Sequence, residues 1–387
     1  MQFREIMKPS TMKCSPLFLI PLALSLSASA AALDTSVFGK SVTMSVGVGK
    51  YSGGELANFP VLVRLDKAKG FKFGDFATPV DELRFADANG VNLDFEIDTW
   101  DADMNAALVW VSAPTLSSAT TIVAYFSPRS EATLPPVYPT NVWTSAGYVG
   151  VWHFAAQNAD NSYPDASGCG AKAVRIAGGN TPNAPTAVTP LANGTRYHVA
   201  NSVLAVLPEH TASWAFSATG YSVETWLVPT GKYNRMFVQT SSMNGGNAFA
   251  FGPIEIYQMS GEFGCYGNWP SAVANQTDWR FVTAVWADSV KSFKTRTCVN
   301  GSHKAGEKDK VAVDFSTTGM ALTGRNGTDQ GSTVLNFNVD EIRIRRGDTS
   351  SDWMDANYST QFDADFFSYG KVQDLAGMAE GSTILLY

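Results

Sequence analysis

The sequence predicts an all-β protein, one β-sandwich followed by a second. Three observations carry this. Short runs rich in Val, Ile, Thr, Phe and Trp recur along the chain, separated by Gly, Asn, Asp and Pro. Hydrophobic residues make up 45% and aromatics 12%, enough for real cores, while charged residues are only 16%. At 387 residues with 33 Gly and 10 Trp, the chain is long enough for two domains and poor in helical pattern.

Residues 1–32 read as a signal peptide. Arg4, Lys8 and Lys13 are basic, Leu17 to Leu26 is an apolar run too short to span a bilayer, and Ser27 to Ala32 are small. The mature chain is therefore expected to be secreted, periplasmic or at the cell surface, with no transmembrane segment. A net charge of −7 without a Lys/Arg cluster argues against nucleic acid as a partner.

Residues 33–130 form the first unit. Its strand candidates are Ser41 to Val48, Val61 to Leu65, Leu83 to Ala86, Leu93 to Ile97, Ala107 to Val111 and Thr121 to Phe126. Asp87-Ala88-Asn89-Gly90 is a turn between two of them, because Asn-Gly accepts positive φ. Residues 131–147 hold Pro135, Pro136 and Pro139 and read as a stiff linker. Residues 148–373 form the second unit, with strands at Val149 to Phe154, Tyr221 to Pro229 and Trp279 to Trp286 and a hairpin turn at Asn300-Gly301. Val339 to Ile344 is a further strand, and Ser350 or Ser351 before Asp352-Trp353-Met354 is a helix N-cap. Residues 374–387 are a tail.

Phe59-Pro60-Val61-Leu62-Val63, Leu83 to Asp87, Phe95 to Asp101, Val109-Trp110-Val111 with Pro114, and Thr121 to Phe126 together resemble a bacterial domain of unknown function, the 2341 type. Val151-Trp152-His153-Phe154 with Asp165-Ala166-Ser167-Gly168, Glu224-Thr225-Trp226 with Pro229, Trp279, Val299-Asn300-Gly301 and Asp340 to Ile344 resemble a laminin-G-like, concanavalin A-like lectin/glucanase jelly roll. The resemblance implies a β-sandwich domain of unknown activity followed by a concanavalin A-like jelly roll. Such jelly rolls bind sugars or proteins more often than they catalyse.

Several residues invite chemistry. Jelly-roll β-glucanases carry a Glu-x-Asp-x-x-Glu strand, and Glu96-Ile97-Asp98-Thr99-Trp100-Asp101 is similar. Alternation puts Glu96 and Asp98 on one face, and a retaining hydrolase needs its carboxylates about 5 Å apart. The third member here is Asp101, one methylene short, and the run lies in the first unit rather than the jelly roll. A structural strand, with Trp100 packed and Asp101 opening a turn, is the expectation. Asp165 and Asp340, with Glu341 beside the latter, are candidate Ca²⁺ ligands, set against turn capping for Asp165 and a cross-strand pair for Glu341. Tyr266, Asn268 and Trp269 lie in a Gly/Pro-bounded turn, where aromatic faces stack on sugar rings and Asn bonds hydroxyls. Tyr233, Asn234 and Arg235 form a second candidate loop. Trp226 and Trp286 sit in regular strands and are expected in the core.

Arg343, Arg345 and Arg346 read as a solvated basic strip on an outer sheet face. Cys265 and Cys298 are the candidate disulfide among the three cysteines beyond the signal, the alternative being buried or free thiols. His153, His198, His210 and His303 are scattered, and no Cys/His spacing suits zinc.

The expected function is that of a secreted, non-enzymatic binding module recognising carbohydrate or a glycoconjugate through jelly-roll loops. No cofactor is required, with Ca²⁺ as the one candidate. The alternatives are a structural or adhesive scaffold that contacts envelope proteins, and a glycan hydrolase using Glu96 and Asp98.

Overall fold

The structure, a computed structural model, describes residues 32–129, 132–154, 157–177, 197–198, 203–211, 214, 220–229, 233–238, 254–259, 262–265, 279–287, 292–309, 320–323 and 337–375. Residues 1–31 of the signal segment and 376–387 of the tail lie outside these. No helix among the described residues is long and apolar enough to cross a membrane.

The first unit contains β1 (Phe38–Val46), β2 (Leu56–Asp66), β3 (Arg84–Asp87), β4 (Asn92–Leu93), β5 (Phe95–Asp101), β6 (Ala106–Leu116) and β7 (Thr121–Pro128). Every predicted run overlaps one or two of these strands. Asp87 Oδ1 accepts from the N–H groups of Asn89 and Val91, at 2.8 and 2.9 Å, which closes the predicted turn. One sheet runs through β1, β7, β3 and β4, and the other is β2-β6-β5. All pairings are antiparallel, and Val42, Met44, Val61, Val63, Phe95 and Val109 are buried in the core.

Two sequence boundaries change. Phe367–Tyr369 and Gln373–Asp374 both pair with β1, so the last segment assigned to the second unit completes the sheet of the first. It covers β1, which would otherwise be an open edge, and no local pattern announces that return. Residues 131–147 are no free spacer either. Pro135 O accepts from Arg84 Nε at 2.9 Å, and the short helix α1 (Asn141–Thr144) buries Val142 and Trp143 completely.

The second unit is built on an antiparallel sheet. The strand Phe337–Arg346 pairs on one side with Tyr221–Pro229 and on the other with both β8 (Tyr148–Trp152) and Tyr197–His198. Beyond Tyr221–Pro229 come Arg280–Ala287, Ser292–Val299 and Ser302–Asp309. The last two form a hairpin with φ of 46° at Asn300 and 78° at Gly301, the left-handed conformation that an Asn-Gly turn supplies at low cost. Two three-stranded antiparallel sheets accompany it. The protein is thus all-β in class.

The two units share one core. Leu62, Trp110 and Phe59 of the first lie in the same buried cluster as Trp143, Tyr148, Val151, Trp226, Phe281 and Trp353. The helix Ser351–Phe362 reinforces the contact. Ser350 caps it, accepting from Trp353 N–H at 3.1 Å. Its Trp353 ring meets Phe59 edge-on at 4.6 Å. Asp352 accepts from Gly54 N–H at 2.9 Å, and Lys50 pairs with Asp363 at 2.8 Å. Arg64 of β2 donates to the carbonyls of Thr360 (3.0 Å) and Gln361, placing a cation on the helix C-terminus, where the dipole favours it.

Candidate functional site

The conspicuous polar constellation lies where the two units meet. On β6 and β5 of the first unit, Trp110 stands opposite both Leu62 and Glu96. A register shift between Ile97 and Thr99 makes Asp98 the extra residue of a β-bulge. The bulge aims its carboxylate inward, and Asp98 Oδ2 accepts from Trp110 Nε1–H at 3.1 Å. Glu96 Oε2 accepts from Trp143 Nε1–H at 2.5 Å.

The second unit supplies the complement. His153 follows β8, with Nδ1 2.9 Å from Glu341 Oε2, Nε2 3.4 Å from Glu96 Oε2 and Nδ1 3.7 Å from Asp98 Oδ2. A second bulge puts Trp226 opposite Glu341 and Leu227 opposite Val339, leaving Asp340 as the unpaired residue. Glu224 and Arg343 are cross-strand partners, with Arg343 Nε 3.6 Å from Glu224 Oε2 and also against Glu341 Oε1. Tyr148 donates its hydroxyl to Glu224 Oε2 at 2.7 Å. The Arg343 guanidinium lies 4.9 Å from the Trp110 ring centroid, 5.6 Å from Trp143, and 5.9 Å from Tyr148 and from Phe281.

Burial sets the electrostatics. It opposes the imidazolium of His153, but Asp98, Glu96 and Glu341 outweigh it and hold the His153 pKa well above its usual value. Burial raises Asp98 despite the nearby His153. Burial would also raise Glu341, yet Arg343 and His153 prevail and lower it. Arg343 is likewise disfavoured by burial and held charged chiefly by Glu341. The proton therefore sits on His153 and the negative charge on Glu341. Such a network contributes little net stability over an apolar contact, but losing one member strands a buried charge. It fixes how the two sandwiches dock.

This overturns one expectation. Arg343 is 1% exposed, so the strip it begins is not a solvated face. The alternation of Ile342 and Ile344 with Arg343 and Arg345 is real, but Arg343 is covered by Trp110 of the first unit together with Trp143, Tyr148 and Phe281. The histidines, scattered in sequence, include one at the centre of the junction. What could have pointed to it is Glu224, a lone acid inside the apolar strand Tyr221–Pro229, which demands a buried partner.

Other predicted residues are placed as follows. Asp165 Oδ1 accepts from the N–H groups of Val151 and Ser167, and Oδ2 from Ser167 Oγ and Ala171 N–H, all at 2.8 to 2.9 Å. Its carboxylate organises a turn. Asp340 is 2% exposed. Neither belongs to the metal-capable sets among the described residues, which are Asp98/His153/Glu341 and Cys298/His303/Asp355. In the first set the Arg343 guanidinium already neutralises Glu341, and a dication beside it would be repelled. Tyr233 and Arg235 lie on a strand, Tyr233–Val238, paired with Ile254–Met259, rather than on a loop; Tyr-x-Arg-Met-Phe-Val is a good strand former. Tyr266, Asn268 and Trp269 lie outside the described residues. Trp226 is buried, as expected, with its Nε1–H donating to Gln361 Oε1 at 2.8 Å. The Cys265–Cys298 disulfide is not formed. Cys298 is a buried free thiol on the large sheet, Cys265 ends a strand of a different sheet, and Cys169 is disulfide-bonded.

An all-β chain of two antiparallel sandwiches locked across an ionic seam is the class these observations define. Residues 80–134 match the domain of unknown function DUF2341, and residues 200–353 match the concanavalin A-like lectin/glucanases superfamily. The two matches fall in the predicted order along the chain. Among solved structures, it is similar to Trypanosoma rangeli sialidase in complex with sialic acid, at 13% identity and a TM-score of 0.39, covering 70% of this chain and 45% of that one. It is also similar to the botulinum neurotoxin serotype C1 binding domain, at 13% identity and a TM-score of 0.36, covering 56% and 52%. The chain thus spans about half the length of these structures or less. No curated protein sequence matches it.

Proposed function

We propose that the protein is an exported, non-catalytic binding protein whose second sandwich recognises carbohydrate or a glycoconjugate. The observation that carries this reading is the match of residues 200–353 to the concanavalin A-like lectin/glucanases superfamily. Within that superfamily the choice between lectin and glucanase turns on carboxylates, and here the glucanase-like pair is otherwise engaged. Glu96 accepts from Trp143 and Asp98 from Trp110, and both face His153. A general acid and a nucleophile need a sugar between them, not indole N–H groups. Tyr266, Asn268 and Trp269 remain the proposed contact residues, with Tyr233 and Arg235 as the second candidates. Calcium is not needed at Asp165, whose oxygens already accept four hydrogen bonds.

The test is a glycan array probed with the chain from residue 33 onward, with and without Ca²⁺. The whole mature chain is required, because the core is shared between the units. The expected result is binding to a defined glycan class, weakened about tenfold or more by Trp269→Ala, as for an aromatic anchor. Uniformly negative arrays would overturn the reading. Recovery of one envelope protein in a pull-down would then favour the scaffold alternative.

A further inference from the structure

We propose that Cys298, His303 and Asp355 form a binding site for a borderline-soft divalent cation of the zinc class, with a coordination position open to solvent. The three side chains converge from two elements. Cys298 and His303 are direct cross-strand partners one step from the Asn300-Gly301 turn, so the tightness of a two-residue hairpin sets their separation. Asp355 comes from the helix Ser351–Phe362, whose position is held by its docking on the first unit. One donor atom from each lies within 4.8 Å of the others. His303 Nε2 is 2.6 Å from Asp355 Oδ1, an orientation that turns the imidazole toward the helix.

The donor set is selective. One thiolate, one imidazole and one carboxylate form a mixed S/N/O triad that suits zinc and its neighbours and is too soft for calcium or magnesium. Three protein ligands leave a fourth position of a tetrahedron free. The gradient of exposure across the site gives that position a direction: Cys298 is fully buried, while the His303 and Asp355 side chains are 32% and 48% exposed. The ion would sit at the rim of the sheet, sulfur inside and water outside.

The same residues could be read as a nucleophile, a base and an orienting acid. The thiol argues against that. Cys298 is fully buried against Val285 and Met354, which leaves a substrate no approach to the sulfur, and the apolar surrounding disfavours the thiolate that an attack would need. A cation removes that obstacle, because a coordinating thiol is deprotonated outright. The Gly301 backbone N–H bonds the sulfur and favours the thiolate. The step balances simply. The Cys298 S–H bond breaks, a sulfur–metal bond forms, one proton leaves to water, and nothing is oxidised or reduced.

Cobalt(II) titration of the purified full chain tests this, because a thiolate–Co²⁺ bond gives a charge-transfer band that oxygen and nitrogen ligands do not. The expected result is a saturable band at one equivalent, displaced by Zn²⁺, with about one proton released per metal in weakly buffered solution. Cys298→Ser abolishes the band. His303→Ala and Asp355→Asn, at positions too exposed to threaten folding, weaken binding about tenfold or more. Absence of a saturable band in the wild-type protein would overturn the proposal, as would a band that survives Cys298→Ser. If Cys298→Ser fails to fold, unchanged affinity in both His303→Ala and Asp355→Asn overturns it equally.

Discussion

His153 Nδ1 lies 2.9 Å from Glu341 Oε2 while its Nε2 lies 3.4 Å from Glu96 Oε2, so one imidazole bridges a carboxylate of each sandwich. The folded pKa of His153 is above its usual value, with Asp98, Glu96 and Glu341 overcoming the effect of burial. Its contribution to stability is therefore fully present below the unfolded pKa of about 6.5 and is lost as pH rises through the higher folded value. Asp98 is also raised, so its contribution has the same sign but is complete only below about pH 4. Glu341 is lowered, and its contribution is lost as pH falls through the folded value. Urea unfolding should show stability declining from mildly acidic toward alkaline pH. His153→Gln should be less stable by about 3–5 kcal/mol on the acid side and should lack that decline.

Arg343 is the other cation of the seam, and its flat guanidinium faces Trp110 at 4.9 Å. Arg343→Met leaves Glu224 buried without a counter-charge and Glu341 with His153 alone, and should cost about 3–5 kcal/mol in chemical denaturation. Arg343→Lys should recover only part of this. An ammonium keeps the charge but cannot stack on the indole or reach both acids in a planar fork.

The glucanase-like pair gives a sharper discrimination. Glu96→Gln should lower stability by about 1–3 kcal/mol, the order expected when a part-buried hydrogen-bonded carboxylate is replaced by an amide, and Asp98→Asn should cost less, because burial already disfavours the charged form of Asp98. Glycan binding per folded molecule should not change. Reducing-sugar release from β-glucans, present in the wild type and absent from Glu96→Gln, would instead place Glu96 in a catalytic role.

Trp353 fixes the helix to the first unit through Phe59, and the Arg345 guanidinium lies over its ring at 4.0 Å. Trp353→Ala should cost about 3–5 kcal/mol. The loss should appear equally in a fluorescence probe of either unit. A loss confined to the second unit would mean the helix belongs to that unit alone.

Much of the fold was legible and most of the seam was not, for physical reasons. Alternation and turn chemistry marked β1 to β7, the Asn300-Gly301 hairpin and the Ser350 cap, because each depends on residues close in sequence. The face of Phe337–Arg346 was misjudged because period-two alternation tells which residues share a side, not what covers that side. Arg343 looks the same in sequence whether water or Trp110 lies over it. Glu96 and His153 are 57 residues apart, and their meeting depends on a bulge at Asp98 and on a helix at Trp143 that a run of prolines concealed. The return of Phe367–Tyr369 to β1 is a pairing over more than three hundred residues, invisible to local pattern.

That the ionic seam and shared core make the two sandwiches one folding unit is tested most directly by differential scanning calorimetry of the mature chain. A single transition is predicted, with calorimetric and van't Hoff enthalpies equal, shifting as a whole to lower temperature in His153→Gln. Two separable transitions, only one of them moved by that substitution, would contradict the account.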